Sequence, residues 1–188
     1  LTYRRKNRIK CCTVIAPDSL GLGVISLYTT HSMRALGIDP GYDRLGVAVI
    51  DRTDHTETVV YSTCIETNRA DELPDRLGSA GRALLEIMTE YRPSIVAVET
   101  LFFNKNVKTA IGVAQARGMI LFIAKQAGCA VLELSPQQIK IAVTGHGGSD
   151  KPAVFAMIKR LAHNVPEAVL DDEYDAIAVA LTALAHHR

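Results

Sequence analysis

A mixed five-stranded sheet flanked by helices, an α/β layer fold, is predicted by three observations. Apolar segments at about 34–39, 44–51 and 57–66 are joined by short polar turns, the pattern of an antiparallel meander. From about residue 70 the apolar spacing switches to a helical period. Two later apolar runs, 94–99 (SIVAVE) and 130–134, alternate with helical stretches, as strands buried on both faces of a partly parallel sheet do.

In chain order, the first strand carries one acid, Asp39, and turns at Pro40-Gly41 into the second. A helix over 70–91 follows, with Leu73, Leu77, Ala80, Leu84, Ile87, Met88 and Tyr91 on one face; Pro93 stops it. A long helix over 105–127 ends at Gly128 and is rich in small residues (Ala110, Gly112, Ala114, Ala116, Gly118), which suit either close approach of another backbone or packing on the sheet. Ser135-Pro136 opens a short helix, with Pro at its first position. After the loop Gly145-His146-Gly147-Gly148, Ser149 is placed to cap a helix carrying Val154, Met157, Ile158 and Leu161. The last helix runs over about 171–187.

The chain has 188 residues, 48% of them hydrophobic, enough for one domain with a substantial core. Aromatics are 5% and Trp is absent, so aromatic stacking cannot be the main mode of any nucleic-acid contact. Cys11, Cys12, Cys64 and Cys129 show no metal-ligand spacing and suit a reducing, cytoplasmic compartment. The net charge of +1 hides a split: residues 1–32 hold five basic residues and one acid, leaving 16 basic and 19 acidic residues beyond, about −3. That balance counts against plain duplex binding, unless four of the acids face two divalent cations, worth about +4 locally. Residues 1–32 read as a non-conforming extension, disordered or upstream of the true start; an added edge strand over 23–28 is the other reading. Pro17 and Asp18 cut its apolar run too short for a membrane span.

Four acids sit in unusual settings. Asp39 is either an acid held in a buried strand, costly without a cation, or the first residue of an Asp-Pro-Gly turn. Glu99 ends SIVAVE, where α/β folds place their sites, though strands also simply end in charge. Asp172 and Asp175 are neighbours at the start of the last helix, where acids also complement the helix dipole and where Asp171 or Asp172 can serve as the cap. The following AIAVALTALA is apolar all round, so Asp175 faces protein. An all-oxygen set without His or Cys selects Mg²⁺ or Mn²⁺. Two such ions ~4 Å apart would activate a water and stabilise the leaving oxygen of a phosphodiester.

GIDPG after Met33, VAVETLFFNKNVKTAIGVAQARG, SPQQIKIAVTGHGGSDK and D-x-x-D-A-I-A-V-A together resemble RuvC, the bacterial Holliday-junction resolvases, over essentially all of 33–188. The resemblance implies a ribonuclease-H-like fold and a homodimer that cuts four-way DNA junctions symmetrically, in recombination and repair. It also implies two Mg²⁺ ions per active site, with Mn²⁺ able to substitute, and a branch-migration helicase partner, RuvA with RuvB. By position the catalytic, metal-holding acids fall on Asp39, Glu99, Asp172 and Asp175, with Asp172 favoured over Asp171 on spacing. The junction-contacting aromatic falls on Phe102, and the phosphate-holding basic residues on Lys140 and Lys151, which flank the Gly-rich loop. His146, in that loop, is a further candidate for substrate contact. By the same resemblance, the small-residue helix is the candidate dimer interface.

Three rivals stand beside this. A YqgF-like nuclease of the same fold shares the opening strand pair, but the long helix and the GHGG-x-x-K block favour RuvC. A sugar-kinase or actin-like ATPase needs a second Gly-rich phosphate hairpin and an adenosine site, and neither is present in the sequence. A non-catalytic DNA-binding module leaves the buried acids unexplained.

Overall fold

Alternation of side chains along the first two strands decides where everything else packs. A computed structural model of the chain describes residues 32–100, 107–167 and 169–187. β1 (Met33–Asp39), β2 (Arg44–Thr53) and β3 (Thr56–Glu66) form the expected antiparallel meander. α1 (Leu73–Tyr91) leads to β4 (Ile95–Glu99), which pairs parallel with β1; α2 (Val107–Gln126) leads to β5 (Ala130–Leu134), parallel to β4. α3 (Pro136–Thr144), α4 (Lys151–Leu161), β6 (Ala162–His163) and α5 (Asp171–His186) complete the described chain. The strand order is β5-β4-β1-β2-β3-β6.

The sheet therefore has six strands, where the sequence suggested five. The sixth is a two-residue piece at the end of α4, running parallel to Glu57 and Thr58 at the sheet edge. Two residues are too few to leave a period in the sequence.

Successive residues point to opposite faces, and the two faces differ in side-chain size. Leu36, Ile38, Leu45, Val47, Val49, Val96 and Val98 form one core with Ala80, Leu84, Ile87 and Met88 of α1 and Ile120, Ile123 and Ala124 of α2. The other face offers Ala35, Gly37, Gly46, Ala48 and Ala97, much smaller side chains, to α5. α5 lies close against them: a Cβ built on Gly37 would sit 2.2 Å from the Ala176 carbonyl oxygen and 2.4 Å from the Ala180 nitrogen. Burial of every residue from Ala176 to Leu184 matches the helix read as apolar all round.

Local signals set the boundaries. Ser135 and Gln138 form a reciprocal capping box on α3, and Gly145 ends that helix at φ 77°. The expected cap of α4 moves by one residue: Asp150, not Ser149, accepts the Ala153 N–H at 3.0 Å. The Ser149 hydroxyl is engaged by Thr144 Oγ1 (2.8 Å) and by the His146 carbonyl (2.9 Å) instead. On α5 neither Asp171 nor Asp172 is the cap; Leu170 takes that position with no side-chain bond, and the acids lie inside the first turn. α1 begins at Leu73, later than the expected 70. Among the described residues no helix is long and apolar enough to cross a membrane. The extension assigned to residues 1–32 lies, apart from Ser32, outside the described residues.

The close seat of α5 makes a direct expectation. Gly37→Ala is expected to lower unfolding stability by about 3 kcal/mol or more, because backbone on both sides must give way. Gly78→Ala, whose new methyl meets only the Arg82 guanidinium at 3.4 Å, should instead stabilise by up to about 1 kcal/mol. Urea unfolding of the two variants reads both effects.

Candidate active site

Strand parity carries the candidate acids to one place. Asp39 continues the Ala35, Gly37 series and Glu99 the Ile95, Ala97 series, so both end their strands on the α5 face. They lie one residue beyond the Ile38–Val98 pair of neighbouring parallel strands. Gly46, paired with Asp39, is pressed against the backbone of Asp172: its Cβ would lie 2.0 Å from the Asp172 carbonyl oxygen. Three elements thus bring Asp39, Glu99, Asp172 and Asp175 within electrostatic reach of one another.

The turn after Asp39 is braced from outside. A Cβ at Gly41 would collide with the Arg44 carbonyl at 2.0 Å, so the close approach requires glycine there. Buried Arg76 pairs with Asp43, donates to the Tyr42 carbonyl at 3.1 Å and lies over the Tyr42 ring. Thr67 Oγ1 donates to the same carbonyl at 2.6 Å.

Burial is the main cause of the strained charge state, and neighbouring carboxylates add to it. Asp39 is pushed up to about 7 by burial, then by Asp175 and Asp172. Glu99 is pushed up to about 7 by burial, then by Asp39 and Asp175. Burial also raises Asp175, against the opposing pull of Lys151. Burial alone would lower the Lys151 ammonium, but Asp175 at 3.1 Å outweighs it and the group is raised.

Two cations pair with different acids of the set. Lys151, at the start of α4, reaches Asp175 and, at 3.6 Å, Asp171. Arg44 Nε lies 3.4 Å from Asp172 Oδ2. That oxygen is buried and has no hydrogen-bond partner. Asp171 is 66% exposed and Asp172 17%, so Asp172 turns into the cluster while Asp171 faces solvent. Glu173 is held elsewhere, accepting from Ser62 Oγ at 2.8 Å. Lys140 on α3 stands near enough to Glu99 to oppose its rise. His146 is exposed, and its ring nitrogen accepts the Gly148 N–H at 3.2 Å. Phe102 lies outside the described residues.

The donor set fits hard divalent cations: four carboxylates, no thiolate or imidazole among them, and one buried oxygen left without a partner. Among the described residues no three His, Cys, Asp or Glu side chains form a group that would hold a metal ion as it stands. Lys151 pairs with Asp175 and Arg44 with Asp172 in this arrangement. Sequence reading missed Arg44; its signal was parity with Gly46 two residues on.

With divalent ions chelated, these shifts set a pH dependence. Asp39 and Glu99 bind protons more tightly when folded than in the unfolded chain. Their contribution therefore favours the folded state at acid pH and is lost as pH climbs through about 7. The melting temperature in chelator should fall between about pH 4 and pH 7 and level off above it. Asp39→Asn should blunt the fall, raising the melting temperature by about 2–5 °C at pH 8 and hardly at all near pH 4.

Comparison with known proteins agrees with the geometry. The family model for crossover junction endodeoxyribonuclease RuvC matches residues 35–183. RuvC of Brevibacillus brevis is 41% identical over 150 residues, 80% of this chain and 90% of that protein. RuvC of Syntrophomonas wolfei is 40% identical over 157 residues, 83% of this chain and 91% of that protein. The structure of T. thermophilus RuvC in complex with Holliday junction substrate matches with a TM-score of 0.78 at 30% identity, covering 83% of this chain and 95% of that one. The yeast mitochondrial Holliday junction resolvase, 14% identical with a TM-score of 0.60, covers 82% of this chain and 81% of that one and shares the fold. Strand ends, helix start and family match converge: this chain belongs to the RuvC family of crossover junction endodeoxyribonucleases and has the ribonuclease-H-like fold.

Proposed function

We propose that Asp39, Glu99, Asp172 and Asp175 are the catalytic, metal-holding acids of this junction-resolving endonuclease, and that it nicks four-way DNA junctions symmetrically as a homodimer. The observation that carries the reading is the meeting of partly buried acids from β1, β4 and α5, with Arg44 and Lys151 paired to two of them and one carboxylate oxygen left without a partner. Two Mg²⁺ ions, with Mn²⁺ able to substitute, would supply the nucleophile's activation and the neutralisation of the leaving oxygen. Asp39, Glu99, Asp172 and Asp175 would together hold these ions, Asp39 feeling the charge of both Asp172 and Asp175. Lys140 and Lys151 hold phosphates at the mouth of the site, and His146 in the exposed loop touches the DNA. Phe102 opens the junction, an assignment resting on the family pattern alone. The T. thermophilus relative seen with a Holliday junction supports the same substrate here. The family match does not favour a YqgF-like nuclease or an ATPase of the actin and sugar-kinase type.

A dimer supplies two such sites to one branched substrate. α2 supports this: Ile111 (57% exposed) and Phe122 (64% exposed) lie on one stripe with Gly118, over which a Cβ would meet nothing within 4 Å. Such a bared apolar stripe suits a second copy of the chain. A RuvA and RuvB helicase partner and a cytoplasmic setting follow from the family reading.

On a synthetic four-way junction, Mg²⁺ should give paired symmetric nicks, and linear duplex or chelator none. Asp39→Asn should cut the rate by roughly three orders of magnitude or more, the several kcal/mol that a metal contributes to charge stabilisation. Equal cleavage of duplex, or cleavage persisting in chelator, would sink the assignment. Separately, Phe122→Glu should shift the protein from dimer to monomer in light scattering at micromolar concentration, with the melting profile of the monomer fold retained.

A further inference from the structure

Besides Lys140 and Lys151, one more basic residue stands at the acids. Arg44 opens β2 on the same face as Gly46, the residue against which Asp172 is seated. Its guanidinium reaches the buried Asp172 Oδ2 at 3.4 Å without making a hydrogen bond, and that oxygen has no other partner. The rest of the side chain is free to move, being 47% exposed. Arg44 also opposes the upward shift of Asp39, so its field extends to the centre of the cluster. Lys151 plays the matching part at Asp175.

We propose that Arg44 is a resident counter-cation that competes with a divalent ion for Asp172: it occupies the carboxylate in the ion-free enzyme and must yield Oδ2 before an ion can be held there. The inference rests on the reading of the acids as a metal centre. A loose pair of this kind is easily displaced, because a half-exposed guanidinium recovers its hydration when it leaves. A doubly charged ion is a far stronger partner for a carboxylate with no other donor. The position is therefore a gate on ion affinity: removing the positive charge deepens the negative field and raises affinity, whereas a residue that merely shaped the site would lower affinity when lost. Arg44 is a positioning residue in this sense, acting on Asp172 and not on the scissile bond.

Isothermal titration with Mn²⁺, without DNA, tests this on the full chain. Arg44→Gln is expected to tighten Mn²⁺ binding about three- to tenfold, and Arg44→Lys, which keeps the charge, to stay near wild type. The Mn²⁺-induced rise in melting temperature should also be larger in Arg44→Gln, because the ion-free state loses a neutralising partner while the ion-bound state does not. Unchanged or weaker Mn²⁺ binding in Arg44→Gln overturns the proposal. So does a Lys variant that behaves like Gln. Asp39→Asn separates the two levels: if it leaves wild-type Mn²⁺ binding intact, the metal-centre reading itself fails, whatever Arg44 does.

Discussion

Everything at the acid end of this molecule depends on how close α5 can come to the sheet. Gly37 and Gly46 remove the atoms that would hold the helix off, and Ala35, Ala48 and Ala97 keep the face low around them. Ala176 and Ala180 answer with small side chains of their own. The stripe they form on α5 begins one turn earlier, at Asp172. Packing therefore fixes an acid from the helix beside acids that end β1 and β4. The same contact that builds the core aims the chemistry.

The electrostatic consequence is a deliberate conflict. Asp39 and Glu99 lose hydration where they end their strands, and neighbouring carboxylates raise their proton affinity further. Lys151 and Arg44 relieve part of the conflict, but not enough to bring Asp39 or Glu99 back to the ordinary carboxylate range. Such a site is strained when empty of positive charge and relaxed when it holds it, which is how an ion's binding energy becomes order in the surrounding chain. It also explains why the overall charge of the sequence is so unlike that of a protein that simply coats DNA.

Much of this could be read from residues in order. The meander, the buried run ending in Glu99, the helix opened by Ser135-Pro136 and the all-apolar last helix each have a local cause, and each stands where the sequence pattern put it. Asp39 resisted a decision, because an Asp-Pro-Gly turn and a buried acid have the same local sequence; only the crossing of α5 separates them. Three details escaped for physical reasons. β6 is too short to carry a period and forms through pairing with a distant edge. Ser149 and Asp150 are equally good caps by type, and the choice fell to the Thr144 hydroxyl, which engages Ser149. Arg44 looked like any charged residue opening a strand, since its partner lies 128 positions away.

One contact links the acid turn to the opposite layer. The ring of Tyr42, two residues past Pro40, rests on Gly112 of α2, where any added Cβ would come within 2.8 Å of it. Arg76 clamps the same ring and its carbonyl from α1. The helix that shows Ile111 and Phe122 to the outside and the bend that aims Asp39 are thus one mechanical part. A side chain at Gly112 would have to push the Tyr42 ring away, and with it the turn that follows the strand ending in Asp39, so a glycine far along the chain keeps that bend seated.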